Sequence, residues 1–202
     1  MSFRVLEPGD PQLDSSTALG DAVAHVQHVP PSDDPAMERD RAAMLALAAQ
    51  HADALDRSCP PGHFTGSALV VGADGEHVLV LHHRKLQRWL QPGGHADGDG
   101  NLAAVAWREA TEETGIEGLR VVVPGVDLDV HVVAPPGERE HRHHDVRFVV
   151  LAPAGAAALG NHESTALRWV RVDELAALGA DRGLLRLAHT GLAVARQLLG
   201  AG

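Results

Sequence analysis

The chain has one cysteine, Cys59, among 202 residues, so no disulfide can close within it, and a reducing cytoplasm is the expected setting. No stretch approaches the ~18 apolar residues of a membrane span, and residues 1–10 carry acids without an apolar run, unlike a signal peptide. Tyrosine is absent and aromatic residues make up 3% of the chain. Few rings are therefore available to stack a nucleobase: Phe64, Trp89, Phe148 and Trp169, each read first as a core residue. Lys85 is the sole lysine, and 17 basic residues stand against 27 acidic ones, a net charge of −10. Such a chain is repelled by polyanions, which argues against a nucleic-acid polymer or an anionic membrane as partner. A small phosphorylated substrate is admitted if cations offset the charge locally.

What is present divides at about residue 62. Residues 1–62 read as a helical extension: Asp14 to Val29 is mixed, Pro30, Pro31 and Pro35 follow, and Glu38 to Leu55 has helical apolar spacing that ends at Cys59-Pro60-Pro61-Gly62. The expectation is packing against the main unit, with a substrate lid, a dimer arm and a homodimer left open. From residue 63 to 202 the pattern changes to strands. Ser67–Val71 and His77–His82 flank the turn Gly72-Ala73-Asp74-Gly75, a hairpin. Residues 126–132 and 146–150 alternate apolar with polar, as half-buried strands do, and the histidine-rich stretch 134–144 between them reads as a surface loop. Residues 167–172 predict a strand, and 173–178 and 183–199 predict helices. The fold class is α+β, a mixed sheet covered by helices.

Residues 93–100 form a glycine-rich loop that feeds Asn101, a good N-cap, and a helix over 102–114 closed by Gly115. Glu109, Glu112 and Glu113 stand at i, i+3 and i+4, so one helix face carries three carboxylates whose repulsion weakens an isolated helix. Three glutamates usually mean a solvated acidic face. This helix has little surface suited to water, because Leu102, Val105 and Ala106 share the stripe and Ala103, Trp107 and Ala110 lie opposite. A hard divalent cation would relieve the repulsion.

Gly94 followed by Arg108-Glu109-Ala110-Thr111-Glu112-Glu113-Thr114-Gly115-Ile116 resembles the Nudix box, matching eight of its nine specified positions at correct spacing. Trp89-Leu90-Gln91-Pro92-Gly93 looks like the strand end that enters the box. The resemblance extends over roughly residues 64–178 and leaves 1–62 unexplained. It implies an α/β/α sandwich and a hydrolase that uses Mg²⁺ or Mn²⁺ to cleave the phosphoanhydride bond of a nucleotide, dinucleotide or nucleotide sugar. It implies metal ligation by Glu109, Glu112, Glu113 and the Gly94 carbonyl, and orientation of a glutamate by Arg108. Glu112 is the first choice of general base, with Glu163 the candidate from a later loop. The mismatch is Gly100, where the family has a glutamate that supports the arginine; Asp97 or Asp99 is the candidate replacement. That mismatch keeps a second reading open, a ligand-binding sensor with little turnover. An isomerase acting on an isoprenoid diphosphate, another offshoot, would need a catalytic cysteine, and Cys59 lies outside the core strands.

Candidate substrate contacts are weaker. His82, His83, Arg84, Lys85 and Arg88 form a basic run before the box, with Trp89 beside it. Glu138 to His144 is a candidate pocket wall that includes His143, and His95 is placed to approach phosphate. Histidine clusters bind transition metals, but the spacing here matches no standard zinc motif, so the stretch reads as a pH-sensitive loop.

Overall fold

Ten consecutive buried residues, Gly62–Val71 (β2), form the strand on which the rest of the molecule is arranged. A strand hidden on both faces needs cover on both, and the computed structural model, which describes residues 2–134 and 139–200, supplies it. The other strands are Arg4–Leu6 (β1), His77–His83 (β3), Arg88–Leu90 (β4), Gly93–His95 (β5), Arg120–Val133 (β6), His141–Leu151 (β7) and Ser164–Arg171 (β8). The helices are Leu19–His28 (α1), Pro35–Gln50 (α2), Leu102–Thr114 (α3), Val172–Leu175 (α4) and Arg182–Leu199 (α5).

The sheet runs β1-β6-β7-β2-β3-β4, with β5 paired to β2 and β8 to β3. The β2–β7 pairing is parallel, from Gly62 opposite Arg142 to Val71 opposite Leu151, and the others are antiparallel, so the sheet is mixed as expected. Side chains alternate across it. Phe64, Ala68, Val70, Val146, Phe148 and Val150 face a core shared with α1, α2 and α3. Leu69, Val71, Val149 and Leu151 face Leu184, Leu187, Leu192 and Ala195 of α5. The result is an α/β/α sandwich. Among the described residues no helix is long and apolar enough to cross a membrane.

Three expectations are revised. The single N-terminal helix is two, α1 and α2, with Asp34 capping α2 through its bond from the Ala36 amide, and a short strand, β1, adds to the sheet edge. Three polar residues of β6 and β7 are not solvated: Asp127, Asp145 and Arg147 are 1%, 1% and 3% exposed. Finally, the histidine-rich stretch is not all loop, because β7 already begins at His141. Glu138 lies outside the described residues.

Candidate active site

Helix α3 is fixed at both ends. The Asn101 side chain accepts the Ala104 amide at its start, and Gly115 takes the left-handed conformation (φ 66°) at its end. Close approach to the sheet depends on Gly66, since a Cβ there would stand 2.6 Å from the Leu102 carbonyl oxygen. This packing carries the glutamates to β5. A Cβ on Gly94 would lie 2.5 Å from the carboxyl carbon of Glu109, so only glycine permits that carboxylate beside the backbone. The Gly93 amide donates to Glu113 Oε2 at 2.8 Å.

Glu113 is 4% exposed. Burial, reinforced by the charges of Glu109, Glu163 and Glu112, lifts its carboxyl to about 8 against the pull of the Gly93 amide. Burial also raises Glu109, opposed by Arg108 and aided by Glu112 and Glu163. Glu112 is exposed. Glu163 comes from the segment before β8, and its charge reaches both raised carboxyls. Arg84 grips that segment: its guanidinium donates to the carbonyls of His162 and Ser164, and its amide donates to the carbonyl of Glu163. Arg84 is thus a brace for Glu163. Lys85 is exposed, while the Trp89 ring stacks edge-on against His82 at 5.2 Å.

The residues present suit a hard cation. The candidate donors are carboxylate oxygens and a backbone carbonyl, and two of the carboxyls are raised in pKa, first by burial and then by their carboxylate neighbours. Among the described residues the three helix glutamates do not gather their oxygens within 4.8 Å of one another, as four histidines elsewhere do. Glu113 is buried and Glu112 is exposed, so the carboxyls of this face point to different surroundings.

Gly100 has a packing cause. Its amide donates to the Ser16 carbonyl at 2.5 Å, and a Cβ would collide with the Ala18 carbonyl oxygen. The segment before α1 occupies the space a glutamate needs. Asp99 stands in its place: Oδ1 accepts the amides of Ser16 and Asn101, and Oδ2 lies 3.8 Å from Arg108. Arg108 in turn donates to Glu109 at 3.2 Å. Asp97 is bound instead to Arg57. Gly100→Glu, which restores the family residue, is expected to destabilise by about 1–3 kcal/mol through overpacking. An unchanged denaturant midpoint would show that the segment is not fixed there.

The opposite face of the sheet holds groups that the sequence reading placed in solvent or in a loop. Asp145 accepts hydrogen bonds from Thr65 and Ser67, and Arg147 bridges Asp127, Asp129 and Asp145 at 2.8–3.3 Å. Arg186 of α5 closes the network on Asp127 and Asp129. Next to it His63, His95, His141 and His143 converge. The available signal was the period-two run of Asp127, Asp129, Asp145 and Arg147, but a period does not say what covers it.

The family model described as NUDIX domain matches residues 63–188. The chain is similar to the protein named "Putative 8-oxo-dGTP diphosphatase 3" from two strains of Mycobacterium tuberculosis, 30% identical over 132 residues, 60% of this chain and 58% of the relative. The match thus spans less than two thirds of those relatives. Among solved structures, a C. elegans Ap4A hydrolase binary complex superposes with a TM-score of 0.53 at 16% identity, covering 69% of this chain and 98% of that one. That likeness concerns the fold.

Proposed function

The chain belongs to the NUDIX domain family, and on that premise we propose that it is a hydrolase that cleaves the phosphoanhydride bond of a nucleoside diphosphate derivative. Mg²⁺ or Mn²⁺ would be held by Glu109, Glu112, Glu113 and the Gly94 carbonyl. The observation that carries the reading is the half-buried Glu109 and buried Glu113 carboxyls pressed together against β5, both raised in pKa by burial. The relatives named for 8-oxo-dGTP support a nucleotide as substrate. When bound, the metal supplies charge neutralisation of the diphosphate and a lowered pKa for the attacking water.

The chain's own groups do the rest. Arg108 fixes Glu109 through Oε1 and is itself held near Asp99. Glu112 takes the proton from the attacking water, and Glu163, braced by Arg84, is the competitor for that role. Lys85, Arg84 and Trp89 complete the candidate substrate contacts, whereas His95 and His143, candidates from the sequence, lie with His63 and His141 on the face of the sheet opposite α3. Residues 1–62 act as an extension that braces the box loop through Ser16 and Ala18. A reducing cytoplasm is the setting, consistent with a buried Cys59 whose thiol is pushed up to about 11 by burial and Asp53. Such a thiol is a poor nucleophile, which counts against the isomerase reading.

The test is incubation with Mg²⁺ or Mn²⁺ and a panel of nucleoside triphosphates, dinucleotides, nucleotide sugars and coenzymes, with release of phosphate or nucleotide measured. Release that stops on chelation supports the proposal; release without metal overturns it. Tight binding of one panel member with no turnover would favour the sensor. Within the panel, Glu112→Gln is expected to lower kcat by about 10²–10⁴, the usual contribution of a general base. Near-normal turnover in Glu112→Gln with loss in Glu163→Gln would move the base to the later segment.

A further inference from the structure

Four imidazoles from three strands meet on the face of the sheet opposite α3. His63 is on β2, His95 on β5, and His141 and His143 on β7; one ring nitrogen from each lies within 4.8 Å of all the others. The ring centroids of His63 stand 4.9, 4.9 and 5.0 Å from those of His95, His141 and His143. The parallel register sets His63 directly opposite His143, and the antiparallel register sets His95 opposite Thr65, one side-chain repeat along the same face.

This arrangement is costly without an occupant. His63 is 1% exposed, and neither of its ring nitrogens has a hydrogen-bond partner. A buried imidazole with both nitrogens unsatisfied has given up its hydrogen bonds to water without replacement, and a lone pair directed at a cation is the remedy the surroundings allow. His141 is already oriented as a ligand. Its Nδ1 sits 2.7 Å from the Arg139 carbonyl, which only accepts, so Nδ1 carries the proton and Nε2 presents its lone pair. That Nε2 lies 3.3 Å from His143 Nε2. Four nitrogens at 2.0–2.1 Å around a tetrahedral ion are about 3.3–3.4 Å apart, so this pair already has ligand spacing. His131, anchored by Asp129 at 2.8 Å, stands behind His143 at 5.5 Å between ring centroids.

We propose that His63, His95, His141 and His143 form a second metal site, separate from the carboxylate cluster, for an imidazole-preferring divalent ion of the Zn²⁺ class. Its donor set is all nitrogen, which selects against Mg²⁺ and Mn²⁺. With four protein ligands it is a closed, structural site. It ties the start of β7 to β2 and to β5, the strand that carries Gly94, so its occupancy stiffens the strand on which Glu109 rests.

The experiment uses the full chain, stripped with a chelator, dialysed and titrated with Co²⁺ and then Zn²⁺. The expected result is one equivalent of Co²⁺ with the intense visible bands of a tetrahedral ion, displaced by one equivalent of Zn²⁺, and a raised thermal midpoint. His141→Gln, at a half-buried position, is expected to weaken Zn²⁺ binding at least tenfold while its metal-free circular dichroism and midpoint stay those of the parent. Glu109→Gln is expected to leave Zn²⁺ binding unchanged. No tetrahedral Co²⁺ signal in the folded parent, equal Zn²⁺ affinity in a folded His141→Gln, or loss of the signal in Glu109→Gln would each overturn the site. Should His141→Gln misfold, the nitrogen chemical shifts of the parent's histidine rings decide: four rings shifting on one equivalent of Zn²⁺ uphold the proposal, and their indifference ends it.

Discussion

Glu113→Gln is expected to lower metal-dependent turnover about a thousandfold while leaving the fold intact. Several kcal/mol of charge stabilisation depends on a metal that this carboxylate helps to hold, and each 1.36 kcal/mol is a factor of ten in rate. The fold survives because glutamine copies the protonated acid, and its side-chain oxygen still accepts the Gly93 amide. The pH dependence separates this from ordinary damage. The folded pKa of Glu113, about 8, lies above its ordinary 4.5. The metal-free parent therefore holds its proton through neutral pH, and its stability falls as pH rises from about 4.5 to about 8, by up to about 5 kcal/mol. The variant has no such proton to lose, so without metal it is expected to be the more stable protein at pH 9. Mg²⁺ must displace the proton, so its affinity for the parent rises about tenfold per pH unit below 8. Urea midpoints at pH 5 and 9, with and without Mg²⁺, check both halves. A variant that is equally active, or that is destabilised at pH 9 without metal, would remove Glu113 from the proposed site.

How much of this was readable beforehand follows from the range of the interactions. Helix α3 was legible to the residue because its determinants are local: Asn101 before it, Gly115 after it, and apolar spacing between. The hairpin of β2 and β3 was legible for the same reason. Gly100 looked like a defect because the residue that forbids a side chain there, Ala18, is 82 positions away, 100 − 18 in chain numbering. The histidines were misread similarly. A zinc motif recognised by spacing places its ligands on adjacent turns, whereas His63, His95 and His141 come together through the pairing of β2 with β5 and β7. The aspartates and Arg147 alternate correctly with the apolar residues of β6 and β7. The alternation predicted two faces but not that α5 would cover the polar one.

That cover makes Arg147→Leu the substitution with the largest expected effect on stability. Among the described residues Arg147 is the one cation donating to Asp127, Asp129 and Asp145 together, and it is 3% exposed. Burial works against its charge, yet the three aspartates outweigh burial and hold the guanidinium firmly protonated. Burial likewise opposes the charge on Asp129, but the hydrogen bond with His131 and the charges of Arg147 and Arg186 bring it well below the usual carboxylate range. In the parent this depressed carboxyl contributes stability that is present at neutral pH and lost as pH falls through the acid range. Removing Arg147 leaves Asp127 and Asp129 to Arg186, with His131 on Asp129, and leaves Asp145 to the hydroxyls of Thr65 and Ser67, a loss of about 3–5 kcal/mol for one broken buried pair. Burial already raises the Asp127 carboxyl against the pull of Arg186 and Arg147, so losing one of those cations makes the variant lose more stability than the parent as pH rises out of the ordinary carboxylate range. Gly183 at the start of α5, whose Cβ would stand 2.9 Å from Asp129 Oδ1, leaves no room for a compensating side chain from above. Urea denaturation at pH 5 and pH 8 is the measurement. A loss under 1 kcal/mol, or one independent of pH, would mean that water rather than Arg147 neutralises this face. Arg147→Leu combined with Asp145→Leu is expected to recover part of the loss, because the carboxylate nearest the missing guanidinium is then gone and an apolar pair of similar volume fills its place.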